Sequence, residues 1–259
     1  MPLGKRGPGW RSRCPIAFPI LRQPELAAER LARILAHLTA ASAGAQTPGP
    51  MCQVAAEIVD VSGAGIMVLS GDVPQASLCT TGTVSALIEE LQYTMGEGPC
   101  IDAHRTGTAV SEPDLGAPLT SRWPAFTPPA LDAGVRAVFG FPLRLGAARV
   151  GALNLFRDRP GRLSDDQHAN ALVVADVIAR TILTFQAHDG QWPGPSGFEA
   201  DIHAVVHQAA GMVSSQLDIS VGDALARLRA HAFATGRRLA EVAEDVVERR
   251  LHFDDLDRH

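Results

Sequence analysis

The sequence predicts an α+β domain, built as an antiparallel sheet flanked by helices, followed by a small all-α domain of three helices. Three observations carry this. Strand-like runs end at Arg157; a Gly/Pro-rich break, DGQWPGPSG at 189–197, stops helix propagation; and beyond it the pattern is helical throughout. The composition agrees, since 259 residues with 46% hydrophobic and 20% charged side chains describe a globular chain of one large or two small domains. A net charge of −5 argues against indiscriminate binding to nucleic acid or anionic membrane through total charge, and leaves local patches open.

The first 24 residues read as a disordered basic tail, with Lys5, Arg6, Arg11, Arg13 and Arg22 ahead of the first acid, Glu25. Pro15, Pro19 and Pro24 break the apolar run that a signal peptide would need. No stretch reaches the ~18 apolar residues of a membrane span, and a cytoplasmic protein is expected. Cys14, Cys52, Cys79 and Cys100 contain no C-x-x-C pair, so free thiols in a reducing compartment are expected rather than a zinc site.

The first domain spans 25–187. Leu26, Leu31, Ile34, Leu35 and Leu38 predict a helix after Pro24, and Val54, Ile58 and Val61 place a second beyond the SAGAQTPGP loop. Strands follow at 65–69 and 76–80 around a Gly71-Asp72 turn. Leu87, Ile88 and Leu91 restore the helical period. Gly96-Glu97-Gly98-Pro99 is a turn, because its acid would repel a phosphate, and short helices follow at 100–105 and 123–133. The clearest hairpin joins 135–145 to 149–157, and its first strand is apolar at nearly every position, so both faces should be covered. A long helix then occupies 163–186, with Ser164 as N-cap and Asp165 and Asp166 at the positive end of its dipole. Past a linker at 188–198, the second domain covers 199–253: a helix to Leu217, a second opened by Ser220 with Asp223 three residues on and closed by Gly236, and a third from Leu239. An acidic tail fills 254–259.

No nucleophile elbow, P-loop, H-E-x-x-H or dinucleotide fingerprint is present, and nothing nominates an active site, so the chain is not expected to be an enzyme. His203 and His207 have i, i+4 spacing, but no carboxylate or cysteine completes a metal set. The second domain carries the more informative pattern. Between Asp223 and Glu241 there is no acid, while Arg227, Arg229, Arg237 and Arg238 all fall inside that window. Planar guanidinium groups suit phosphate and can stack on unpaired bases; the alternative is a solvated face paired with the acids of the third helix.

Gln208-Ala209-x-Gly211-Met212, Ala224, Leu228-Arg229, Ala232 and the run Arg237-Arg238-Leu239…Val242-Ala243 make 202–247 resemble an ANTAR domain, the three-helix RNA-binding module of bacterial transcription antiterminators. Ala210 departs from that pattern where a basic residue is usual, and Gly236 where asparagine is common. Residues 51 to about 186 are similar to a GAF domain, a small-ligand sensor fold, through Gly96-Glu97-Gly98-Pro99-Cys100, Arg122-Trp123-Pro124, Phe141-Pro142-Leu143-Arg144 and Gly151-Ala152-Leu153-Asn154-Leu155. The combination resembles an actinobacterial type of GAF and ANTAR regulator. The resemblance implies binding to paired RNA stem-loops in nascent leader transcripts, and hence a homodimer, for which the helix at 164–186 is the natural interface. It implies RNA contacts at Arg229, Arg237 and Arg238, a polar reader in Gln208, and close approach at the small Ala209, Gly211 and Ala232; for Gly211, helix packing is the alternative. These assignments collapse if the guanidinium groups are locked into internal carboxylate pairs or point inward, away from any accessible groove. In the GAF-like unit, Tyr93, Met95, Phe139 and Phe141 are candidate lining residues for an unidentified small molecule, with ordinary core packing as the alternative. No cofactor is implied. A DNA-binding transcription factor and a thiol-based redox sensor are the competing classes; acidic Glu241, Glu244, Asp245 and Glu248 weigh against the first, and the second needs Cys52, Cys79 and Cys100 to meet in space.

Overall fold

The computed structural model describes residues 23–42, 49–70, 73–117, 122–189 and 198–253. The expected basic tail up to residue 22, Cys14, the Gly71-Asp72 turn, most of the linker and the acidic tail lie outside the described residues. Five strands, β1 (Gly63–Ser70), β2 (Val73–Thr80), β3 (Val110–Glu112), β4 (Ala137–Leu145) and β5 (Ala148–Arg157), form one antiparallel sheet in the order β2-β1-β5-β4-β3. The β4–β5 hairpin pairs Ala137 with Arg157 at one end and Leu145 with Ala148 at the other. As its apolar run demands, β4 is covered on both faces.

Strand alternation sorts the side chains into two layers. Ile66, Phe139, Phe141, Leu143, Leu153 and Leu155 join one core with α2 (Gly49–Val59) and α6 (Asp165–Asp189), and α1 (Gln23–Ser42) packs outside these two helices. Ser164 closes the start of α6 as a full capping box. Its hydroxyl accepts from the Gln167 amide at 3.2 Å, and the Gln167 side-chain oxygen accepts from the Ser164 amide at 3.0 Å. The opposite face holds α3 (Thr83–Met95), α4 (Pro99–Thr106) and α5 (Thr127–Asp132). There α4 crosses β4 so closely that a Cβ on Gly140 would stand 2.2 Å from the Pro99 carbonyl oxygen. Arg149 at the start of β5 donates to the carbonyls of His104 (3.2 Å) and Arg105 (2.7 Å), filling acceptors that the end of α4 leaves open.

The expectation of free thiols is corrected for one pair. By packing on β1 and β2, α2 brings the Cα atoms of Cys52 and Cys79 to 6.0 Å, within bridging range, and the two are joined as a disulfide. Cys100 remains a buried free thiol in the core on the other side of the sheet, where burial pushes its pKa well up, so the three cysteines do not meet.

The C-terminal unit is made of α7 (Phe198–Leu217), α8 (Val221–Thr235) and α9 (Leu239–Val247), with α7 packed on both others. Val206, Ala209, Val213, Ala224, Leu228, Ala232, Leu239, Val242 and Val246 are buried among them. The Ser220 hydroxyl accepts from the Asp223 amide at 3.1 Å, and Gly236 ends α8 at φ 65°, as the sequence requires.

Candidate nucleic-acid interface and sensor cleft

Four exposed residues, Ala204, Gln208, Gly211 and Ser215, follow one another along α7 at three- and four-residue steps and so make a single stripe, small except for the polar Gln208. A Cβ added to Gly211 would meet nothing within 4 Å, which favours an open surface over helix packing at that position. Ala209 and Ala232 are different: both are buried in the core of the trio, so their small size serves α7 and α8 packing there.

Arg237 and Arg238 stand at the exposed turn between α8 and α9. Each has an acid of α9 as partner: Arg237 Nη2 lies 2.7 Å from Asp245 Oδ2, and Arg238 Nε lies 2.7 Å from Glu241 Oε1. Asp245 also accepts from Arg250 at 2.7 Å. These hydrogen bonds hold both carboxyls below the usual carboxylate range, led by Arg238 at Glu241 and by Arg237 at Asp245. The Arg238 pair is superficial, its arginine side chain 77% exposed, and exposed pairs of this kind bind weakly. The Arg237 pair is partly buried, with the Asp245 side chain 19% exposed and shared with Arg250, so Arg237 is engaged internally as the RNA assignment did not expect.

Arg229 is not at that surface. Its Nε and Nη2 donate to the Tyr93 carbonyl oxygen at 3.1 and 2.5 Å, and burial pushes its pKa down to about 10. It therefore lies between the two units.

The four candidate lining residues do not converge. Phe139 and Phe141 face α6, the Phe141 ring standing 5.3 Å from that of His168. Tyr93 is on the opposite side, its ring edge-on to His207 of α7 at 6.1 Å, and burial raises its pKa. Of the four, Met95 alone lines a cleft of about 840 Å³ that runs between the end of α3 and the length of α8 from its cap Ser220 to Phe233. Gly96, Arg105 and Pro124 form one wall, and Ser220, Asp223, Arg229 and Phe233 form the other. Phe233 is 74% exposed at its rim. Sequence reasoning missed two groups that shape this region. The Glu97 carboxylate accepts from the amides of Ala125 (2.5 Å) and Phe126 (2.9 Å), fixing the approach to α5. Asp102 accepts from Trp123 Nε1 at 3.0 Å and Arg122 Nε at 3.1 Å. An acid between two glycines was the visible hint for Glu97; Asp102 had none. Among the described residues no cluster of three potential metal ligands occurs, and no helix is long and apolar enough to cross a membrane.

A GAF domain model matches residues 51–182, and an ANTAR domain model matches 200–247. Among solved structures, the GAF domain of a phosphoenolpyruvate-protein phosphotransferase from Coxiella burnetii is 16% identical, covering 63% of this chain and 99% of its own, with a TM-score of 0.50. The GAF domain of the Acinetobacter phosphoenolpyruvate-protein phosphotransferase is 12% identical (64% and 98% covered, TM-score 0.44). A GAF domain/HD domain protein from Geobacter sulfurreducens is 17% identical (54% and 91%, TM-score 0.43). At 16% identity the likeness to the Coxiella burnetii domain is one of fold alone. A search of curated proteins finds no match.

Proposed function

The chain belongs to the GAF domain family and carries an ANTAR domain behind the GAF unit, and from this premise we propose that it is an RNA-binding transcription antitermination regulator. Both modules are regulatory, which places the protein in signal transduction and transcription control. In the proposed reading the ANTAR unit binds stem-loops of nascent leader transcripts in the cytoplasm. The GAF unit serves as sensor or dimerisation module for a small molecule whose identity is open, and no reaction is catalysed. Two stem-loops call for two ANTAR units, supplied by a homodimer through the helix at 164–186.

The observation that carries the reading is the ANTAR match over 200–247, which falls on the unit presenting Gln208 and Gly211 on one open helix face and Arg237 and Arg238 at an exposed turn. The two arginines are paired with carboxylates; the exposed Arg238 pair exchanges readily, so an RNA phosphate can replace Glu241, and at Arg237 the phosphate has to displace the partly buried Asp245. Replacing Arg237 and Arg238 together with alanine is expected to weaken binding to hairpin RNA recovered by crosslinking in cells. It should also flatten the salt dependence while leaving the circular dichroism spectrum unchanged. Gel shifts of unaltered affinity would remove these residues from the interface.

A further inference from the structure

One contact joins the two units in a way that RNA binding cannot share. Tyr93 lies in the last turn of α3, where carbonyls lack intrahelical partners and carry the negative end of the helix dipole. Gly96 at φ 67° turns the chain away from that carbonyl, and a Cβ on Gly96 would stand 2.7 Å from Arg229 Nη1. Arg229 of α8 thus caps α3 of the other unit with two hydrogen bonds to one oxygen. Two further observations reinforce the seat. The His207 ring of α7 meets the Tyr93 ring edge-on. Met67, Leu69, Ile101 and Ala152 of the sheet unit form one continuous apolar cluster with Val206, Ala210 and Leu225 of the helical unit.

We propose that this is a closed form of the regulator, in which the GAF sheet is an intramolecular partner for α7 and α8 and Arg229 is the latch. The proposal rests on the RNA-binding reading above. A guanidinium committed to the Tyr93 carbonyl is withheld from phosphate, so RNA binding by Arg229 follows release of the seat. The latch is reversible by construction, because Arg229 is held by a neutral carbonyl rather than by a carboxylate, and burial already disfavours its charge. RNA affinity then scales with the fraction of molecules that are open.

The test uses the full chain with Leu69→Glu, and independently Ile101→Gln, so that failure of one variant to fold leaves the other. Neither residue is in the proposed RNA surface. Small-angle scattering and amide exchange of α7 and α8 report opening, and binding to the crosslink-recovered hairpin RNA reports the consequence. The expected result is a larger radius of gyration, faster exchange in α8, and RNA binding about tenfold tighter than that of the unaltered chain. Opening with unchanged affinity would overturn the latch while leaving RNA binding intact. Unchanged scattering and exchange in a folded variant would overturn the docked seat itself. If neither the opened variants nor the parent bind RNA, the antitermination reading fails, and the latch's role in RNA binding with it.

Discussion

Glu241 and Asp245 decide how available Arg237 and Arg238 are. Both carboxyls are held below their ordinary range by the arginines they meet. Depressed folded-state pKa values mean that the pairs contribute stability above the unfolded carboxylate pKa and lose it as pH falls through the folded value. Across roughly pH 5 to 8 the pairs are therefore fully formed, and RNA must displace them throughout. The double variant Glu241→Gln, Asp245→Asn is expected to bind hairpin RNA about fivefold more tightly, the scale of one exposed and one partly buried surface ion pair, with a flat pH profile over that range. Weaker binding in filter assays would show that these acids position the arginines rather than compete for them. The sequence exposed the acid-free arginine window but not this pairing, because Asp245 lies eight residues from Arg237 and reaches it only once α9 turns back from Gly236.

At the level of elements, local signals worked where the physics is local. Ser220 and Gly236 bound α8 as their cap chemistry predicts, and the β4–β5 hairpin turns at Gly146-Ala147, with Ala148 already in β5. The short β3 escaped notice: Val110–Glu112 carries too few residues for a period, and only its pairing with β4 defines it. The bridge between Cys52 and Cys79 likewise depends on α2 lying across β1 and β2, a placement no spacing encodes. Phe139 and Phe141 were legible as buried but not by face, since β4 is apolar on both. Gly140, between them, is fixed by the crossing of α4. Gly140→Ala would press a methyl group on the Pro99 backbone, which has no rotamer to yield, and is expected to cost about 1–3 kcal/mol or more in urea denaturation. A neutral result would mean that α4 can lift from the sheet.

Across the whole molecule, most of the α6 stripe is already covered by the sheet, α2 and α1. What remains for a second copy is the outer seam where Leu31 and Leu35 of α1 adjoin Val177, Arg180 and Thr181 of α6, a groove of about 630 Å³, with exposed Leu172 on α6 outside it. A dimer in sedimentation velocity at micromolar concentration, shifted towards monomer by Leu35→Glu, is the expected outcome; a monomeric parent chain would count against self-association along this seam. The contact between Arg229 and Tyr93 has a different kind of consequence, one for inheritance. Its acceptor is main chain, so no codon change at Tyr93 can delete it. Signal-independent alleles should therefore accumulate at the Gly96 bend or along the apolar seat, the Tyr93 ring included, while a change at Arg229 would discard latch and RNA contact together and stay absent from such a screen.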